Sequence, residues 1–150
     1  MAYIKYKELT QYFNFYKQLD IDNLPSYVTD YISNNEQILI AYGTIRDKFV
    51  LTDNKIILFD VRGISGKNKR IHFFPISSIS SGALDFKPKG IGLLLSLDSG
   101  YQLRLNFVNM TPTDKTKMRT VFTEIVNEIC YKNDKKNNNW HFFTNVIYFK

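Results

Sequence analysis

Residues 55–79 read KIILFDVRGISGKNKRIHFFPISSI. Two apolar runs, Ile56–Val61 and Ile71–Ile76, flank a turn-rich basic segment. Both runs are rich in Ile, Val and Phe, which suit a pleated, packed surface. Gly63 and Gly66 provide the backbone freedom that a reversal between them requires. Arg62, Lys67, Lys69 and Arg70 place the charge of the stretch in and beside that turn. The stretch therefore predicts a β-hairpin with a cationic end. Pro75 and Ile76-Ser77-Ser78-Ile79 then mark a tight bend.

The same two-residue period extends on both sides. Between Gln37 and Phe107 the pattern predicts seven strands with short connections. They are Ile38–Thr44, Phe49–Thr52, Lys55–Val61, Arg70–Phe74, Ser80–Phe86, Gly92–Leu97 and Tyr101–Phe107. Asp53-Asn54, Lys87-Pro88-Lys89-Gly90 and Asp98-Ser99-Gly100 are the clearest turns. In the last strand Tyr101, Leu103, Leu105 and Phe107 alternate with Gln102, Arg104 and Asn106, so one face is buried and one is wet. Ile91–Leu97 is nearly all apolar and is expected to be covered on both sides.

Helical signals lie outside this block. Tyr6, Leu9, Tyr12, Phe13, Tyr16 and Leu19 recur at spacings of three or four and predict an aromatic helix within residues 3–19. A short helix is expected over Leu24–Ile32, with Asn23 able to cap it and Pro25 in its first turn. Thr111, Pro112 and Asp114 form a strong start signal for a third helix, whose apolar face is Met118, Val121, Phe122, Ile125, Val126 and Ile129. Lys132–Asn139 reads as a polar linker. Trp140–Lys150, WHFFTNVIYFK, is apolar again and rich in strand formers, so it is expected to dock as a strand on this domain or on another copy. The fold class expected is mainly β with helices: a seven-stranded antiparallel sandwich closed by a C-terminal helix, with short helices at the N-terminal side. The domain division expected is 1–20, 21–131 and 132–150.

Composition narrows the function by exclusion. The chain has 150 residues, 44% of them apolar, enough for one domain with a core. A net charge of +6 suits an anionic membrane surface, an acidic protein or nucleic acid. No nucleic-acid motif accompanies it, and 14 acidic residues offset 20 basic ones, which argues against nucleic acid as the partner. A single cysteine, Cys130, excludes an internal disulfide and a cysteine-rich zinc site, and fits a reducing, cytoplasmic setting. No apolar run approaches the roughly 20 residues of a membrane span. His72 and His141 are the only histidines and stand in no ligand spacing, so no metal or cofactor is expected. Ser65–Lys69, SGKNK, lacks the upstream glycine spacing and the final hydroxyl residue of a phosphate-binding loop. No paired carboxylates suggest acid–base chemistry. The expectation is a protein without enzymatic activity.

One run carries more specific information. Ile38–Ser80 reads ILIAYGTIRDKFVLTDNKIILFDVRGISGKNKRIHFFPISSIS. It contains an Ile45-Arg46-Asp47 step, a Thr52-Asp53-Asn54-Lys55 turn, a Val-x-Gly-Ile-Ser-Gly-Lys turn from Val61 to Lys67, and a basic strand ending at Pro75 before Ser77-Ser78-Ile79. In these features it resembles the bacterial pleckstrin-homology (PH-like) domain family over about residues 21–131. Gly82–Gly90 lacks the acidic run of close members, and both flanks lie outside the pattern. The resemblance implies a seven-stranded sandwich capped by a helix, homo-oligomers, and no established enzyme chemistry. The function expected is a non-catalytic binding or scaffold domain making protein–protein contacts and self-assembling. Two further readings stay open. One is a phage or mobile-element accessory protein that inhibits a nuclease or other nucleic-acid machine. The other is binding to an anionic lipid surface. The candidate sites are the basic turn, Arg62, Lys67, Lys69 and Arg70, and the aromatic flanks, Tyr12, Phe13, Tyr16, Trp140, Phe142 and Phe143.

Overall fold

The computed structural model describes residues 13–136. In chain order its strands are β1 (Phe13–Phe15), β2 (Lys17–Gln18), β3 (Ile38–Gly43), β4 (Lys48–Thr52), β5 (Lys55–Arg62), β6 (Asn68–Pro75), β7 (Ile79–Lys87), β8 (Gly90–Leu97) and β9 (Gln102–Val108). The helices are α1 (Ser26–Thr29) and α2 (Pro112–Lys136), with single 3-10 turns at Ile21–Asn23 and Ile76–Ser78. Two sheets face each other, one ordered β1-β9-β8-β7 and the other β2-β3-β4-β5-β6. All seven strands expected between Gln37 and Phe107 are present.

The hairpin read from residues 55–79 is the longest continuous ladder of its sheet. β5 and β6 pair in eight steps, from Lys55 opposite Pro75 to Arg62 opposite Asn68. β5 is apolar without alternation because both of its faces are covered. Ile56 and Leu58 join the main core, while Ile57 and Phe59 join a second cluster with Val28, Ala41 and Val50. Tyr27 closes over that second cluster, its ring edge-on to Phe59 at 5.9 Å. The segment before β3 thus lies on the outer face of the hairpin's sheet.

The N-terminal segment corrects the expected helix. Its described part, from Phe13 onward, is extended, and residues 3–12 lie outside the described residues. β1 pairs in parallel with β9, Phe13 opposite Leu105 and Phe15 opposite Phe107. One residue later β2 pairs with β3, Lys17 opposite Gly43. The chain therefore bridges one edge of each sheet, satisfying edge hydrogen bonds that a helix would leave open. Leu19 N–H continues the link by donating to Ala41 O at 2.9 Å. The helical spacing of Tyr12, Phe13 and Tyr16 also contains a two-residue alternation of Phe13 and Phe15. The strand reading wins because Phe15 becomes fully buried between Phe49 and Phe107, with ring centroids at 5.9 and 5.6 Å. These strands add two to the seven expected.

The helix expected over Leu24–Ile32 contracts to α1. Leu24 precedes Pro25 and is held extended, at φ −71° and ψ 146°, because the proline ring crowds the helical conformation of its predecessor. Asn23 does not cap α1, whose N-cap position is Pro25 with no side-chain cap; Asp20 caps the preceding 3-10 turn by accepting from Asp22 N–H at 3.1 Å. α2 starts where Thr111, Pro112 and Asp114 indicate. Thr111 Oγ1 accepts from Asp114 N–H at 3.1 Å, and the Asp114 carboxylate accepts from Thr111 N–H at 2.9 Å. Met118, Phe122 and Ile125 of α2 are buried in the main core. α2 continues to Lys136, so the first five residues of the expected polar linker are helical. No proline or glycine interrupts residues 113–136. Trp140–Lys150 lies outside the described residues.

Candidate functional site

The cationic hairpin end is built by two adjacent turns. Gly63 (φ +80°) and Gly66 (φ +65°) carry the β5–β6 reversal in a conformation that side chains disfavour. Arg46, in the β3–β4 turn, donates from Nη2 to Gly63 O. Asp47 Oδ1 accepts from Val61 N–H at 3.0 Å. The Ile45-Arg46-Asp47 step thus clamps the hairpin by its backbone.

The four basic residues of the turn do not converge. Side chains alternate along β6, and cross-strand partners share a face. Lys69, opposite Val61, lies on the outer face, with Nζ 5.1 Å from the Tyr27 ring centroid. Lys48 Nζ lies over the same ring at 5.7 Å. Arg70, opposite Asp60, belongs to the other face with Arg62, and Arg62 pairs with Asp60 at 2.8 Å. Lys67 is exposed within the turn itself. Two apolar side chains stand out at this end: Ile45 is 88% exposed, and Ile64 is fully exposed.

The aromatic flank is divided in the same way. Phe13 is drawn onto the main core and stacks on Phe15 with centroids 6.0 Å apart. Tyr16 remains 42% exposed, and its hydroxyl accepts from Ile45 N–H at 3.2 Å. Tyr12, Trp140, Phe142 and Phe143 lie outside the described residues.

A second feature was not anticipated from sequence. An apolar groove of about 620 Å³ runs between β7 and α2. Its floor and walls include Ile79, Leu84, Leu95, Phe122, Ile125 and Val126. α2 begins beside the β7–β8 turn, where Lys115 Nζ donates to Pro88 O at 3.0 Å and Met110 N–H to Lys89 O at 3.0 Å. It then runs back along β7, and its residues Ile129 and Cys130 line the groove together with Ser77 and Ile79. β7 ends its sheet, and among the described residues no strand pairs with its outer edge. Gly82 faces Leu95 across the ladder and contributes no side chain of its own to the groove. The available signal was the width of the α2 apolar face: Met118, Phe122 and Ile125 meet the core, whereas Val126 is left 51% exposed.

Among the described residues, no three His, Cys, Asp or Glu side chains group to hold a metal ion. No described helix is long and apolar enough to cross a membrane.

Two facing sheets joined at an N-terminal corner and closed by one long helix define a PH-like sandwich. The family model described as the bacterial PH domain matches residues 9–87, more than half of the chain, and the chain belongs to that family. The resemblance read at Ile38–Ser80 is thereby established. Among solved structures, the chain is similar to a DUF1696 family protein with a pleckstrin-homology domain from Shewanella loihica PV-4, at 26% identity and a TM-score of 0.60, over 73% of this chain and 95% of that one. It is also similar to a pleckstrin-homology domain from Shewanella amazonensis SB2B, at 25% identity and a TM-score of 0.49, over 70% of this chain and 86% of that one. A PH domain containing bacterial protein from Exiguobacterium sibiricum 255-15 shares the fold at 11% identity and a TM-score of 0.50, over 65% of this chain and 54% of that one. No curated protein matches the chain.

Proposed function

We propose that this chain is a non-catalytic binding and scaffold domain that makes protein–protein contacts and self-assembles, with the β7 edge and its groove as the contact surface. The observation that carries this reading is the coincidence of a strand edge that no strand among the described residues pairs with and an apolar groove beside it. An added strand would gain main-chain hydrogen bonds from the edge and side-chain pockets from the groove. Exposed strand edges are usually blunted by charge or proline; the first six residues of β7, ISSGAL, carry neither, and its charges, Asp85 and Lys87, stand at its far end. Light scattering over a range of concentrations tests the assembly, with a mass above one chain expected. A single-chain mass at the highest concentration reached would overturn it.

A second reading is supported by Ile45 and Ile64. Two exposed isoleucines at neighbouring turn tips, with Lys48, Arg62, Lys67 and Lys69 within a few residues of them in sequence, have the composition of a surface that docks on anionic lipid. Flotation with vesicles containing phosphatidylserine tests it. Binding should fall with salt and with Ile64→Asp, and equal indifference to neutral and anionic vesicles removes the reading.

A further inference from the structure

The outer face of the hairpin's sheet carries aromatic rings and cations that neither the groove nor the turn tips account for. On β6, Lys69, Ile71 and Phe73 share that face, because they stand opposite Val61, Phe59 and Ile57. Fully buried Phe59 sets the rings above it. Tyr27 meets Phe59 at 76° and Tyr31 meets it at 65°, both with centroids at 5.9 Å. Tyr31 carries the contact outward to Phe73, with centroids 5.6 Å apart. The rings are thus anchored from the core, yet the outer two stay open: Tyr31 is 40% exposed and Phe73 48%. Adjacent large aromatics left in water are the apolar half of a contact surface.

Positive charge supplies the other half. Lys48 and Lys69 bring Nζ to 5.7 and 5.1 Å from the centroid of the Tyr27 ring. Among the described residues neither lysine pairs with a carboxylate. The acids of the segment before β3 do not neutralise them. Glu36 pairs with Lys55, Asp20 accepts from Asn23 and from Asp22 N–H, and neither Asp22 nor Asp30 forms an ion pair with either lysine. Two ammonium groups gathered at one ring repel each other, and a carboxylate placed between them relieves that repulsion.

We infer that this face docks an acidic segment of a partner protein that carries one large aromatic or aliphatic side chain. The apolar side chain packs on Tyr31 and Phe73, and a carboxylate meets Lys48 and Lys69. Lys69 and Phe73 are separated by about 13 Å along the strand, which sets the distance between acid and anchor in the partner. Aromatic anchors held rigid from below lose little freedom on binding, and charge beside them selects the partner. The ring geometry favours a protein over a nucleic acid. Bases stack on open ring faces. Tyr27 is already engaged by two ammonium groups, and Tyr31 and Phe73 are inclined at 51° instead of forming a parallel platform. β6 and β7 belong to different sheets, so this surface stands whether or not the β7 groove binds anything.

The probe is a blocked peptide of aspartates and glutamates around one central tryptophan, titrated into the whole chain and followed by NMR shifts. The largest shifts should fall on Tyr27, Tyr31, Lys48, Lys69 and Phe73, and affinity should drop as salt is added. The same tryptophan among serines and glycines should bind at least about tenfold more weakly. Phe73→Ser and Lys69→Glu should each weaken the acidic peptide by about tenfold. Lys69 is exposed, so Lys69→Glu keeps the test if Phe73→Ser lowers the thermal melt. Lys48→Glu combined with Lys69→Glu should reverse the preference, toward a peptide of lysines and arginines around tryptophan. Equal affinity for the acidic and neutral peptides overturns the inference. So does acidic-peptide binding that neither Phe73→Ser nor Lys69→Glu weakens. If the acidic peptide is ignored while oligothymidine binds in a Phe73-dependent way, the face reads nucleic acid instead. If phosphatidylserine vesicles alone bind in that way, it reads lipid, and the inference falls in either case.

Discussion

At the scale of single residues, two polar and steric details govern stability more than the exposed cations do. Glu36 is 2% exposed at its side chain and pairs with Lys55 Nζ at 2.8 Å. It also accepts from the Thr52 hydroxyl and from Ser33 N–H, tying the segment before β3 to the β4–β5 turn. Burial pushes its carboxyl upward, but the hydrogen bonds from Lys55, Thr52 and Ser33 outweigh it and hold the group below its ordinary 4.5. A carboxylate whose folded pKa is lowered contributes stability above its unfolded pKa and loses it as pH falls through the folded one. Glu36→Gln should therefore lower stability at neutral pH by about 1–3 kcal/mol. It should also flatten the loss of melting temperature on acidification below the unfolded carboxyl range, a comparison made by thermal melts of both proteins across that range. Gly90 is constrained by approach rather than by φ: a Cβ there would collide with Phe107 O and lie 3.2 Å from Val108 Cα, both backbone. Gly90→Ala should cost about 1–3 kcal/mol or more, read from the urea midpoint. Neither role is visible in sequence, where Glu36 is one loop acid among several and Gly90 looks like an ordinary turn glycine.

At the scale of elements, what could be read depended on whether the signal was local. The start of α2 is local chemistry, since Thr111, Pro112 and Asp114 satisfy the first-turn donors among themselves. Thr111→Ala should destabilise the protein by about 1 kcal/mol in chemical denaturation, with the helix still formed by circular dichroism. The β5–β6 turn is equally local, and Gly66→Ala, at φ +65°, should cost about 1–2 kcal/mol by the same measurement. The β1 and β2 strands are not local. Phe13 to Tyr16 fits a helix by spacing and a strand by alternation, and pairing to β9 and β3, about ninety and twenty-five residues away in sequence, settles it. The end of α2 was missed for the opposite reason: a polar run without proline or glycine does not itself stop a helix.

At the scale of the whole molecule, the arrangement of edges is what matters for function. The N-terminal strands close one corner of the sandwich, α2 packs its buried residues over the core, and no strand among the described residues pairs with the outer edge of β7 beside the groove. The basic turn lies at a different part of the molecule, and its charges spread over both faces of the hairpin and the turn itself. The two surfaces should therefore respond independently. Val126→Arg should abolish self-association by light scattering while leaving vesicle flotation unchanged, and Ile64→Asp should do the reverse. A single variant that removes both would show that assembly and surface docking share one face.

The amino-acid sequence determined the two-layer β class, the presence of the seven central strands, the hairpin with its glycine turn, and the start of the closing helix. These depend on residue period, turn chemistry and capping, which act within a few positions. Only the tertiary structure decided that Phe13 and Phe15 belong to a strand, that Lys69 and Arg70 lie on opposite faces of the hairpin, and that β7 and α2 enclose a groove. Each of those depends on which edge meets which element across the fold, and a sequence pattern carries no record of that distance.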